Sequence, residues 1–186
     1  MLRDHLQSFL LPARIAQHRE SLDKWAVMFQ QGGKGNRFNE KEILPDFLTD
    51  IFCGLLGYTR PHDDAKRFTI SREKHVEVDG KFADAVLGNF RNDQEEFVIA
   101  VEGKGPLDPL DRPFKSRKTS AVEQGYGYAI NLPSDWIIVT SMRETRLYFK
   151  GADQHTFERF LIDDLAANEA ALKKFVFLLG ADRAVP

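Results

Sequence analysis

Two stretches decide how this chain is read: KFADAVL, residues 81–87, and FVIAVEGK, residues 97–104. FVIAV is apolar at every position, the pattern of a central strand covered on both faces. It runs straight into Glu102-Gly103-Lys104, and the two-residue period of a strand sends Glu102 and Lys104 to one face. In KFADAVL the same period places Phe82, Asp84 and Val86 on one face and Ala83, Ala85 and Leu87 on the other. Asp84 is thus a carboxylate among core residues, which costs several kcal/mol unless a positive partner satisfies it. Two carboxylates on adjacent strands can hold a hard divalent cation, and a lysine two residues on can steady a water or the charge building on a phosphorane. On these three residues alone, a buried Asp–Lys–Glu ion network that fixes strand register explains the pattern equally well.

Outward from this centre, Asp79-Gly80 is a two-residue hairpin signal between strands at 74–78 and 81–87. Upstream, Asn39 caps a helix running to about Leu56, with Glu40 and Glu42 in its first turn. Its buried stripe is Leu44, Phe47, Leu48, Ile51, Phe52 and Leu55, and Gly57 is its stop. Residues 2–30 read as helical with a break at Pro12, and QQGGKGN follows as a joint. Downstream, Ser120 and Glu123 form a capping box opening a helix to about Asn131. Strands follow at 136–140 and 146–150, and helix is expected from Phe157 to Leu179. The sum is a mixed α/β domain, a small sheet with helices on both faces.

In the helix from Ser120, Gln124 and Tyr128 lie four apart on one face. Gly125 and Gly127 each cost about 1 kcal/mol relative to alanine inside a helix. Such glycines suit a helix pressed onto the sheet, aiming Gln124 and Tyr128 at the site or at DNA; a core tyrosine and a solvated glutamine are the plainer alternative. The preceding loop carries Arg112, Lys115, Arg117 and Lys118, which can take phosphate contacts or simply be solvated.

At 186 residues, with 42% hydrophobic and 29% charged residues, the chain has the composition of about one ordinary folded domain. Its net charge of −2 excludes coating nucleic acid by bulk charge. The single cysteine, Cys53, lies in apolar IFCGLL and excludes a disulfide framework or a multi-thiolate zinc site. His5, His18, His62, His75 and His155 show no paired metal-ligand spacing. Neither a signal-peptide core nor an apolar run of membrane-spanning length is present, so a cytoplasmic location away from membranes is expected. A serine-hydrolase elbow, a dinucleotide turn and a phosphate loop are all missing.

Asp84, FVIAV and Glu102-Gly103-Lys104 resemble the PD-(D/E)XK nuclease superfamily. The run VEGKGPLDPLD through VEQGYGYAINLPSDWIIVTSMRETRLY is similar to the N-terminal nuclease domain of type IIG restriction–modification enzymes. The resemblance covers about residues 36–180. It implies a restriction-endonuclease-like core at 36–186, preceded by a helical extension at 1–35. It further implies magnesium-dependent double-strand cleavage, with manganese able to substitute. Asp84 and Glu102 would be metal ligands, Lys104 the catalytic lysine, and Gln124 and Tyr128 the family's Q-x-x-x-Y pair. An acidic residue on the first core helix, Glu40 in preference to Glu42, would reach the metal. Type IIG enzymes carry an S-adenosylmethionine-dependent methyltransferase and a target-recognition region in the same chain. This sequence contains neither, so it is expected to be part of a longer protein or a stand-alone nuclease of that lineage, acting on double-stranded DNA and dimeric when it cuts both strands. Weak, non-specific DNA binding is expected of the piece alone. A repair or recombination nuclease of the same fold and a silent DNA-binding scaffold are the rival functions.

Overall fold

The computed structural model describes residues 2–76, 81–91 and 94–185. Six strands form one sheet in sequence order: β1 (Arg67–Val76), β2 (Lys81–Arg91), β3 (Gln94–Gly103), β4 (Trp136–Thr140), β5 (Glu144–Phe149) and β6 (Phe157–Leu161). Neighbours pair antiparallel except β3 and β4, which run parallel, with Glu102 opposite Val139 and Gly103 opposite Thr140. A parallel pair needs a crossover, and helix α4 (Ala121–Asn131) supplies it. The other helices are α1 (Leu2–Ser8), α2 (Arg14–Phe29), α3 (Glu40–Phe47), α5 (Ile162–Ala167), α6 (Glu169–Leu179) and α7 (Ala181–Ala184).

Alternation along β3 builds two cores. Ile99 and Val101 join Leu22, Phe47, Phe52 and Phe175 on the face covered by α2, α3 and α6. Ala100 joins Ile137, Val139, Val122 and Ala129 on the face covered by α4. The sheet is therefore clothed on both sides, and FVIAV lies at its centre as its composition demands. Residues 77–80, where the Asp79-Gly80 turn falls, lie outside the described residues.

All six stripe residues from Leu44 to Leu55 are buried. Asn39 caps α3 through a capping box: its side chain accepts from the Glu42 amide, and the Glu42 carboxylate accepts from the Asn39 amide. Pro45 sits inside the helix, and from Leu48 to Leu55 the chain widens into a π-helix. Gly57, at φ +86°, ends it.

One expected helix begins too early. Phe157–Leu161 is strand β6, paired with β5 so that Thr145 faces Phe160 and Arg146 faces Arg159; helix starts only at Ile162. The open edge of β5 supplies hydrogen-bond partners 9 to 17 residues away, which local periodicity does not see.

The two glycines of α4 do opposite things. A Cβ on Gly125 would lie 2.8 Å from Ile137 Cγ2 and 3.2 Å from Val139 Cγ2, so Gly125 sets how closely α4 rides on β4. Around Gly127 nothing lies within 4 Å of such a Cβ, so its expected role in close approach is corrected: it faces open space. Gly125→Ala gains about 1 kcal/mol of helix propensity but overfills a spot ringed by branched core side chains, at about 1–3 kcal/mol. Thermal melts should show Gly125→Ala less stable than wild type and Gly127→Ala more stable by up to about 1 kcal/mol. Equal shifts for both would contradict this placement.

Candidate functional site

Asp84, Glu102 and Lys104 meet at the end of β3, on the α4 side of the sheet. Asp84 follows Val86 onto that face, and Glu102 and Lys104 follow Ala100. Asp84 Oδ2 accepts a hydrogen bond from the Gly103 amide at 2.7 Å, fastening the ends of β2 and β3 together. Lys104 continues toward β4 through its amide, which donates to the Thr140 carbonyl at 2.7 Å. Gly103 has no room for a side chain, since a Cβ would stand 2.3 Å from Leu44 Cδ2. That close approach brings the first turn of α3 over the end of β3.

Glu40 arrives with it. Lys104 Nζ forms a tight ion pair with Glu102 and a second with Glu40 at 3.6 Å. Glu42 is instead spent on the capping box, its Oε2 accepting from the Asn39 amide at 2.7 Å. The cluster therefore holds three carboxylates against one ammonium, with Glu102 2% exposed and Lys104 7% exposed.

Burial, aggravated by the neighbouring Asp84 and only partly offset by Lys104, pushes the Glu102 carboxyl up to about 8. Burial also raises Asp84, against the Gly103 amide and Lys104, and raises Glu40 against Lys104. For Lys104 burial alone would favour the neutral amine, but Glu102, Glu40 and Asp84 outweigh it and hold the ammonium charged. Among the described residues no three acidic, histidine or cysteine side chains stand close enough to enclose an ion as they are. Lys104 bridges Glu102 and Glu40.

Tyr128 and Gln124 part company. Tyr128 is buried, and its hydroxyl is raised first by burial and then by Glu102, Asp84 and Glu40, so it remains a protonated donor beside the cluster. Gln124 Nε2 donates to Thr119 Oγ1 at 3.2 Å, at the rim of the helix, and is not drawn into the cluster.

The basic loop is held more firmly than its composition suggests. Arg117 contacts Asp108 at 3.4 Å and Lys115 contacts it at 3.7 Å, while Arg112 and Lys118 are exposed. Asp111 is gripped by Arg146, which also pairs with Glu144, bonds Tyr148 Oη at 3.3 Å and lies 4.6 Å over the Phe157 ring. Burial works against the Arg146 charge, but these hydrogen bonds outweigh it. Sequence reading singled out neither Arg146 nor Asp111, because they lie 35 residues apart and only the fold joins them.

Glu73 is a further acid that sequence reading passed over. Arg72 pairs with Ala85 and Lys74 with Ala83, which sets Glu73 against Asp84, and its charge adds to the upward pressure on Asp84. Glu73 has φ +49°, a left-handed conformation uncommon for a residue with a side chain. Hairpin register alone makes it a neighbour, and register is not written in any single residue.

No family model, curated protein or solved structure matches the chain. Among the described residues, no helix is long and apolar enough to cross a membrane.

Proposed function

We propose that this chain is a divalent-metal-dependent DNA endonuclease domain with a PD-(D/E)XK core, of the kind carried by restriction–modification systems. The observation that carries this reading is the charge imbalance at the end of β3. Glu102 and Glu40 pair with one ammonium, Lys104, while Asp84 stands beside them on the Gly103 amide, with Glu102 and Lys104 buried. A network built only to fix register would balance its charges, since unpaired buried carboxylates cost several kcal/mol. Here burial and the neighbouring Asp84 raise the Glu102 carboxyl to about 8 even against Lys104, so one ammonium does not balance the acids.

The donor set fits magnesium, a hard cation that takes carboxylate oxygens, and manganese by the same chemistry. Asp84 and Glu102 would hold it, with Glu40 as the third acid. Bound there, the cation supplies polarisation of the scissile phosphate and a lowered pKa for the attacking water. Lys104, kept charged, places an ammonium where negative charge builds on phosphorus. Tyr128, kept protonated, offers a hydrogen-bond donor on the same side. Asp84, tied to the Gly103 amide, holds the two strand ends in fixed relation. Hydrolysis of both strands of a duplex would use two copies, each cutting one strand.

A second reading, a repair or recombination nuclease of the same fold, is favoured by one observation: an exposed phenylalanine, Phe38, on the rim of a cleft that opens next to Glu40.

Isothermal titration with magnesium tests the metal site directly. Wild type is expected to bind, and Asp84→Ala to lose affinity by more than about 100-fold, since a ligand is removed rather than a supporting residue. If wild type takes up no magnesium with duplex DNA present, the cluster is a structural ion network and the nuclease reading fails.

A further inference from the structure

Beside Glu40 the surface opens into a cleft of 540 Å³. Its floor is Gly105, the residue after Lys104: a Cβ there would stand 3.5 Å from Asp108 Oδ1 and 3.7 Å from the Glu40 amide. The cleft therefore begins where the acidic cluster ends. Its walls carry Arg37, Lys41 and Lys115, all exposed, and Phe38, which is 39% exposed.

Two features of this face bear on what it could hold. Lys115 shares Asp108, and Arg37 and Lys41, like Arg112 and Lys118 of the neighbouring loop, have no ion-pair partner among the described residues. The backbone leading into Phe38 is fixed locally. Gly35 is buried against the Phe29 ring, where a Cβ would lie 2.5 Å from Cδ1, and the Phe38 amide donates to the Gly35 carbonyl at 3.3 Å. Phe38 lines the cleft together with its sequence neighbours Arg37 and Lys41, and with Glu40 and Asp108. Asn36 Oδ1, shielded from solvent and without a hydrogen-bond partner, leaves an acceptor unused in the same wall.

Cations that track a backbone, alternating with an aromatic face that any base can stack on, make up the chemistry of single-stranded nucleic-acid binding. We propose that this cleft receives an unpaired stretch of the substrate strand next to the cut, one base stacking on Phe38 and the flanking phosphates contacting Arg37 and Lys41. This rests on the nuclease reading for its position beside the scissile bond. It adds a substrate class to that reading: DNA whose strand is free at or beside the cleavage point, as at an end, a flap or a locally opened duplex. A duplex keeps its bases stacked on one another and cannot present one to Phe38.

The test is fluorescence anisotropy with a labelled 12-nucleotide single strand and the matching duplex, at low salt in EDTA so that no metal enters. Wild type is expected to prefer the single strand. Phe38→Ala should weaken single-strand binding about 10-fold or more and duplex binding less than about 2-fold, while Phe38→Trp retains or improves it. Arg37→Ala combined with Lys41→Ala should flatten the salt dependence of single-strand binding by about 1.4 in log–log slope, the share of two phosphates. Phe38 is 39% exposed, so Phe38→Ala gives up some packing, and Phe38→Trp, which keeps a ring in place, separates lost stacking from lost stability. No single-strand binding by wild type, equal losses on both probes, or failure of Phe38→Trp to rescue would each overturn the inference. Magnesium titration separates the two readings. If magnesium binds but Phe38 has no effect, the cleft inference falls and the nuclease reading stands. If Phe38-dependent binding holds but magnesium does not bind, the nuclease reading falls and a single-strand-binding cleft remains.

Discussion

Replacing Lys104 with methionine should destabilise the metal-free domain, strengthen its magnesium binding and stop cleavage. Lys104 is the ammonium that Glu102 and Glu40 share, and methionine is close to it in volume. Without it the carboxylates face one another with no counter-charge, and breaking a buried pair in this way costs about 3–5 kcal/mol when the remaining charges cannot escape. They can escape in part by protonation, so the loss should be largest near pH 8.5 and shrink toward pH 6. Magnesium binding supplies the opposite contrast. Lys104 competes for the oxygens an ion would take, so Lys104→Met should bind magnesium at least as tightly as wild type. Cleavage of supercoiled plasmid with manganese should nonetheless fall by about 10²–10³-fold, the usual effect of removing one group that stabilises developing charge. A register-fixing ion network predicts the destabilisation alone, with no metal uptake by either protein. Titration calorimetry beside chemical denaturation separates the outcomes, and weaker magnesium binding by Lys104→Met would tell against the assigned roles.

Metal-free stability should fall as pH rises from 6 to 9, and magnesium should restore it. Glu102 releases its proton at about pH 8 in the folded chain but near 4.5 when unfolded. Between those values the folded state binds more protons than the unfolded state, so the slope of stability with pH is negative. Asp84 and Glu40 are shifted upward too, so they act in the same direction. Each unit of separation is worth about 1.4 kcal/mol, and with solvent relaxation the loss across the window is on the order of 2–4 kcal/mol. For a chain of this size that is roughly 5–12 °C in melting temperature. Glu144, lowered because Arg159 and Arg146 outweigh its burial, works the other way, and its stabilisation is lost only in acid below its ordinary range. Stability without metal should thus peak near pH 4–5, at the foot of that window. An ion needs Glu102 ionised, so magnesium should raise the melting temperature more at pH 9 than at pH 6. Glu102→Gln should flatten the pH slope and abolish the magnesium effect. A melting temperature that is flat or climbs from pH 6 to 9 without metal would show that Glu102 carries no raised affinity for its proton.

How much of this was legible beforehand differs from residue to residue. The uniform apolarity of FVIAV places β3 at the centre of the sheet because only a strand covered on both faces tolerates it. The two-residue period puts Glu102 and Lys104 on one side, and Asn39 and Ser120 mark the starts of α3 and α4 through capping boxes that need only four consecutive residues. These are local effects, and local sequence is enough to fix them. The choice between Glu40 and Glu42 is different in kind. Both lie in the first turn of α3, and only the approach of that helix over Gly103, against Leu44, sets Glu40 beside Lys104 while Glu42 closes its own cap. Gln124 and Tyr128 share a helix face by spacing, yet Tyr128 lies against the carboxylates and Gln124 turns back to Thr119. Glu73 joins Asp84 through hairpin register, Arg146 joins Asp111 across 35 residues, and β6 is a strand because β5 had an unpaired edge. The sequence by itself determined most of the helices and strands, β6 excepted, and which side of the central strand carries charge. The tertiary structure decided which acids share that charge, because the balance of burial and Coulomb energy at Glu102 depends on groups brought together from β2, the end of β3 and α3, and no window along the chain contains them all.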